Sequence, residues 1–153
     1  MILWPVERLA EVDSTQEEMK RRASRGEALP PVLLADHQTK GRGRFSRQWE
    51  SARGESLTVS LALPEWRNHP LPWMPGMITA CAAAAAFGAK VQWPNDVTIQ
   101  KKKLGGILVE RIVLEDGSTQ PIVGMGLNLT ITEFPNEILH RAISLHAARG
   151  VSL

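Results

Sequence analysis

Apolar residues at positions 6, 9, 10 and 12 open the pattern and predict a short strand over residues 6–12. Asp13-Ser14 follows, and Ser14 stands three residues before Glu17. That is the spacing of a capping box, in which each side chain takes the other's free backbone N–H. A helix is expected from there to about residue 24, with Lys20, Arg21 and Arg22 near its negative end and Gly26 as its stop. Val32-Leu33-Leu34-Ala35, a continuous apolar run between Pro31 and Asp36, reads as a central strand. Residues 56–63 alternate polar and apolar with period two, as a half-buried strand does, and Pro64 ends them. A proline-rich connector then leads to an alanine-rich helix over residues 77–87, stopped by Gly88, in which Cys81 reads as a small core residue. Val91-Gln92-Trp93 is extended up to the turn Pro94-Asn95-Asp96, and Val97-Thr98-Ile99 resumes the strand. A charged turn over residues 100–103 and a turn at Glu115-Asp116-Gly117-Ser118 bracket a strand at 104–113, which returns as 120–129. Residues 142–145 read as a short strand and 146–149 as a helical turn. Six strands against two clear helices predict an α+β fold with a mixed, largely antiparallel sheet, rather than a βαβ repeat.

Two features interrupt this regular pattern. Gly105 and Gly106 begin one strand, and Gly124 and Gly126 fall on one face of the next. Glycine weakens a strand, so a ligand or another backbone is expected against Gly105 and Gly106, and something flat on the face of Gly124 and Gly126. The second feature is the stretch 36–49, where Lys40, Arg42, Arg44 and Arg47 place four cations within eight residues around Gly41 and Gly43. Glycine lets backbone approach a ligand closely, and arginine presents a planar fork of donors. The stretch therefore reads as a loop that closes over a phosphate or carboxylate. Taken alone, it is equally a solvated basic loop, and Ser14-Thr15-Gln16 is equally a plain helix cap.

Composition narrows the class. The 153 residues make one domain, long enough to bury roughly two-thirds of the unfolded surface. A net charge of +2 does not itself imply nucleic acid, since the cations concentrate at 40–47 and 101–103. A basic-loop nucleic-acid binder would need clustered aromatics there, and only Phe45 and Trp49 are present. The lone Cys81 excludes an internal disulfide and fits a reducing cytoplasm. The four histidines show no ligand spacing, and no apolar stretch reaches the length of a membrane span.

Five motifs in order over residues 13–128 resemble the biotin protein ligases, which adenylate biotin and pass it to a carrier-protein lysine. They are Asp13-Ser14-Thr15-Gln16; Gln38 with Gly41-Arg42-Gly43-Arg44 and Trp49; Trp93-Pro94-Asn95-Asp96; Lys103-Leu104-Gly105-Gly106-Ile107-Leu108-Val109-Glu110; and Gly124-Met125-Gly126-Leu127-Asn128. The resemblance implies a biotin pocket from Ser14, Thr15, Gln16, Gln38, Gly41, Arg42, Gly43, Arg44, Lys103, Gly105 and Gly106. It implies ATP and adenylate contacts from Arg42, Arg44, Arg47, Trp49, Asn95, Asp96, Lys103 and Asn128, with Trp49 near the adenine. Lys103 and Arg44 are the expected catalytic residues, and Asp96 and Asn128 the expected groups for Mg²⁺. The implied partner is the biotin carboxyl carrier protein of acetyl-CoA carboxylase, with no DNA and no membrane, and a homodimer is left open. The alternatives are a lipoate or octanoate ligase or transferase of the same superfamily, and a non-catalytic biotin binder.

Three departures stand out. Ser46 occupies a position where the family repeats glycine, so the loop is expected to close more stiffly. Gln92 replaces a lysine, and Gln16 an asparagine. Residues 142–146 resemble the segment just before the last helices of the catalytic domain. Residues 1–153 are thus expected to be a catalytic domain truncated at its C-terminus, without the N-terminal DNA-binding domain or the C-terminal β-barrel domain.

Overall fold

A computed structural model describes residues 4–150. Its strands are β1 (Val6–Leu9), β2 (Val32–Ala35), β3 (Gly41–Arg42), β4 (Gln48–Trp49), β5 (Ser56–Ala62), β6 (Lys90–Gln92), β7 (Asp96–Ile99), β8 (Lys102–Val113) and β9 (Thr119–Asn128). The helices are α1 (Thr15–Ser24), α2 (Met74–Ala86) and α3 (Leu145–Arg149). Seven strands form one sheet in the order β1-β2-β5-β9-β8-β7-β6, while β3 and β4 pair separately. Only β1 and β2 run parallel in the large sheet; its other pairs are antiparallel. The mixed, largely antiparallel α+β fold expected from the pattern is what forms.

Alternation along β9 divides the molecule. Ile122 packs with Met19 and Ala23 of α1, whereas Val123 packs with Ala80 of α2. The two helices therefore cover opposite faces, and Gly124, Gly126 and Asn128 share the α1 face. On that face β8 contributes Gly106, Leu108 and Glu110. On the other, Val109 meets Gly76 of α2, where an added Cβ would collide with the valine.

Several local expectations are corrected. β1 ends at Leu9 rather than at residue 12, because Val12 turns away to bridge Gln38. The capping box is half formed: Ser14 Oγ accepts the Glu17 N–H at 3.5 Å, but the Ser14 N–H donates to Asp13 Oδ1 at 2.7 Å. The carboxylate of Glu17 is taken instead by Lys20 and Arg42. Residues 36–49 are not all loop. Gly41–Arg42 and Gln48–Trp49 form a small hairpin around a 3-10 turn at Arg44–Ser46. Residues 91–99 are two strands, folded back at Trp93–Asn95, rather than one. α2 starts three residues early, with Pro75 in its first turn, where a missing N–H removes no hydrogen bond. Cys81 lies exposed on the outward side of α2 and is not a core residue. Residues 142–145 form no strand: Ala142 makes a single bridge to Lys103, and Ser144 caps α3. Among the described residues no helix is long and apolar enough to cross a membrane.

Candidate functional site

A cleft of about 1050 Å³ opens on the α1 face. The N-terminus of α1, the β3–β4 hairpin, the β6–β7 turn, the ends of β8 and β9, and the segment 131–142 surround it.

The α1 end is built from interlocked polar groups. Arg21 holds Asp13 through two contacts of 2.7 Å, and its guanidinium keeps the Asp13 carboxyl below the usual carboxylate range. Asp13 in turn fixes the Ser14 backbone. Thr15 donates both its N–H (2.8 Å) and its hydroxyl (3.0 Å) to Gln38 Oε1, and Ser60 Oγ donates to Thr15 Oγ1 at 2.8 Å. With Oε1 twice engaged, Gln38 has its amide N–H groups left for other partners. Gln16, only 4 % exposed, donates from Nε2 to the Leu108 carbonyl (3.4 Å) and to Glu110 Oε2 (3.2 Å). Its Oε1 is buried and has no partner.

Two glycines of β9 are explained by these side chains rather than by a ligand pressed on the backbone. A Cβ on Gly124 would lie 3.1 Å from Gln16 Cγ and Cδ. A Cβ on Gly126 would lie 2.6 Å from Trp49 Cε2. The glycines make room for an amide and an indole, and these two flat groups form part of the cleft wall.

The hairpin carries the arginines in. Arg44 Nη1 donates to Asn95 Oδ1 at 3.0 Å, and Asn95 Nδ2 donates to the Ile107 carbonyl at 3.0 Å, so the arginine is tied to the sheet through one asparagine. Arg42 pairs with Glu17 and lies 3.6 Å from Glu110. Phe45 takes positive φ at the tip, 80 % exposed, with the Arg44 guanidinium 4.8 Å from its ring centre.

Lys103 reaches the cleft because of a bulge. Val97 pairs with Gly105 and Thr98 with Lys103, which leaves Leu104 as an extra residue on β8. Strict alternation would put Lys103 and Gly106, three apart, on opposite faces; the extra residue restores them to one. Lys103 Nζ sits 2.7 Å from Asp96 Oδ1. Its backbone is clasped by the segment beyond β9, with its N–H on the Arg141 carbonyl (2.7 Å) and its carbonyl on the Ile143 N–H (3.0 Å). Asn128 anchors the same segment, donating from Nδ2 to the Ile143 carbonyl at 3.2 Å. A Cβ at Gly106 would have its nearest contact at 3.4 Å, on Asp96 Oδ1, so this glycine sits in ordinary space beside the Lys103–Asp96 pair.

The cleft thus gathers Ser14, Thr15, Gln16, Gln38, Arg42, Gly43 and Arg44 with Arg47, Trp49, Asn95, Asp96, Lys103, Gly106 and Asn128. Gly41 and Gly105 do not line it. Gly41 lies against the Trp49 carbonyl, and Gly105 against the Gly126 carbonyl and Leu127. Sequence reasoning missed Lys101 and Arg141, further cations on the rim, and the apolar wall of Ile131, Phe134 and Ile138. No local signal marks these; Arg141 is found only through its backbone bond to Lys103.

The hairpin arginines, the amides of Gln16, Gln38 and Asn95 and the Lys103–Asp96 pair, gathered on one face of a mixed sheet, suit an anionic small molecule. The chain belongs to the biotin/lipoate A/B protein ligase family, whose description matches residues 9–128. It is 34 % identical over 149 residues to the bifunctional ligase/repressor BirA of Bacillus subtilis, covering 91 % of this chain and 45 % of that protein. Identity is 30 % over 150 residues to the biotin–[acetyl-CoA-carboxylase] ligase of Mycobacterium tuberculosis, covering 90 % and 53 %. The biotin protein ligase of Aquifex aeolicus in complex with biotin and ATP superposes with a TM-score of 0.75 at 35 % identity, over 97 % of this chain and 62 % of that one. The chain spans about half the length of these two curated relatives.

Proposed function

We propose that this chain carries the adenylating site of a biotin–protein ligase. In the first step an oxygen of the biotin carboxylate attacks the α-phosphorus of ATP, the bond to the bridging oxygen breaks, and pyrophosphate leaves. In the second, a lysine amine of a carboxyl carrier protein attacks the acyl carbon of the adenylate. AMP leaves and the amine gives up a proton. The carrier of acetyl-CoA carboxylase is the partner this reading assigns, in the cytoplasm.

The observation that carries the reading is that Lys103, Arg44 on its Asn95 tether and the Thr15–Gln38 amide network share one cleft. Two anions must be brought together, and negative charge grows on the α-phosphoryl oxygens as the carboxylate attacks. The Lys103 ammonium, held by Asp96 until an anion arrives, is the group for that charge. A preplaced donor of this kind lowers the barrier by about 3–4 kcal/mol. Arg42 and Arg44 fix the carboxylate and phosphates, since their forks suit both. The apolar wall at Ile131 and Phe134 excludes water that would hydrolyse the adenylate.

A magnesium ion accompanying ATP is held mainly by phosphates and water with one or two carboxylates. Asp96 is the one carboxylate beside Lys103, which fits that donor set, with Asn128 as a neutral neighbour; the ion would neutralise the triphosphate.

Calorimetric titration with biotin, lipoate and octanoate tests the reading. Micromolar or tighter binding of biotin alone is expected. Equal binding of octanoate would move the chain to the lipoate branch of the family.

A further inference from the structure

We infer that Ser60 is a positioning residue, which acts through Thr15 to hold the Gln38 amide with its N–H groups free for a ligand, so that the pocket takes a head group bearing a carbonyl-type acceptor. The inference rests on the biotin reading above and adds a buried residue that lies outside the five motifs.

Each hydrogen in this series has one place to go. The Thr15 backbone N–H can only donate, so the Gln38 atom 2.8 Å away is Oε1, and the amide cannot be turned over. An amide oxygen can only accept, so the Thr15 hydroxyl, 3.0 Å from the same Oε1, gives its single hydrogen there. Thr15 Oγ1 is then left as an acceptor, and the Ser60 hydroxyl at 2.8 Å is its donor. Ser60 is fully buried and Thr15 is 2 % exposed, so no water takes the place of either partner. Ser60 stands in the middle of β5, paired with Leu33 of β2 and Gly124 of β9, which makes it a rigid support. Without its hydroxyl, Thr15 loses the contact that keeps it turned toward Gln38. The backbone of Gln38 is held separately: Ser51 Oγ accepts its N–H at 3.0 Å and donates to its carbonyl at 3.3 Å. The amide end is therefore the part that Ser60 governs.

The consequence is an oriented donor. Gln38 Nε2 has no partner among the described residues, and it is not one of the three buried side-chain atoms left unpaired there. It is therefore accessible, on a residue that lines the cleft. Hydrogen bonds in series polarise one another, which strengthens the last donor. A ligand carbonyl oxygen takes that donor, and a ureido ring carries one. A dithiolane sulfur is a weak acceptor and an alkyl chain is none. A site built around a polar partner discriminates against analogues lacking that partner more sharply than an apolar pocket discriminates by size.

Ser60 does not line the cleft, and among the described residues its hydroxyl bonds to Thr15 alone. The test is a double-mutant cycle read by calorimetry with biotin alone, on Ser60→Ala, Gln38→Met and the double variant. Ser60→Ala is expected to weaken biotin binding about fivefold, the worth of one neutral hydrogen bond. Gln38→Met should lose at least as much. Adding Ser60→Ala to Gln38→Met should then change affinity less than twofold, because no amide remains to hold. In Ser60→Ala the Michaelis constant for biotin should rise with that for ATP and with kcat unmoved, a split that a general loosening of β5 would not give. Should Ser60→Ala fail to fold, Thr15→Val, which removes the hydroxyl midway along the series, carries the same expectation. Additive losses, wild-type affinity in Ser60→Ala, or an equal rise in the constant for ATP overturn the inference. A wild-type protein that does not bind biotin overturns the proposed function instead.

Discussion

Replacing Gly126 by alanine should destabilise the protein, although alanine is the better strand residue. The added Cβ would lie 2.6 Å from Trp49 Cε2 and 2.9 Å from Cζ2 and Nε1. Carbon atoms settle at about 3.5–4.0 Å, so the indole must retreat by about 1 Å. It cannot retreat alone, because Trp49 is half of the two-residue strand β4, whose partner Gly41 rests on the Trp49 carbonyl. The hairpin has to lift with it. Overpacking of this kind costs about 1–3 kcal/mol, and alanine returns about 0.5–1 kcal/mol of the glycine penalty, so the net loss is about 1 kcal/mol at the middle of those ranges. For a chain of this size that lowers the melting temperature by about 2–4 °C. Gly43→Ala is the control. Its φ is −120°, and its nearest Cβ neighbour is Arg47 O at 3.5 Å, so the methyl fits. Urea denaturation of both variants decides the matter. Equal stability in the two would refute the packing of Trp49 on Gly126.

Lys103→Ala should slow biotin-dependent ATP–pyrophosphate exchange by about a hundredfold or more. Lys102→Ala, which does not line the cleft, should stay within a factor of a few, and equal losses would remove Lys103 from its role. Amide hydrogen exchange over residues 40–47 should slow on adding biotin with ATP, since new charge-assisted contacts must order the hairpin tip; unchanged exchange would leave a solvated basic tip. Acid should destabilise the fold through α1, because Arg22 holds the Glu18 and Glu7 carboxyls below their usual range. Groups with lowered folded pKa values stabilise above the unfolded value of about 4.3 and lose that contribution as pH falls through the folded value. The melting temperature should therefore drop from pH 7 to pH 3.5, and drop less in Arg22→Met.

The sheet was legible in the sequence because its strands announce themselves. The alternation at 56–63, the hairpin turn at Asp116-Gly117 and the cap at Ser14 each rest on neighbours in the chain. Where the sequence misled, the deciding partner was distant. Cys81 looked internal because α2 carries no charged residue, so its outward face has no polar marker. The hairpin at Gly41–Trp49 was hidden because strands of two residues are too short to show a period, and their cations dominate the reading. Gly124 and Gly126 were rightly marked as places where something flat lies. That the flat things are Gln16 and Trp49 depends on contacts more than seventy residues apart in the chain. The bulge at Leu104 is the clearest limit: alternation alone would put Lys103 and Gly106 on opposite faces.

The central claim is that one cleft activates biotin with ATP, and isotope exchange between pyrophosphate and ATP measures that step without a carrier protein. The account predicts exchange that requires biotin, is not supported by lipoate or octanoate, and is lost in Lys103→Ala. Exchange that proceeds equally with octanoate, or a protein that binds biotin tightly and catalyses no exchange, would contradict it.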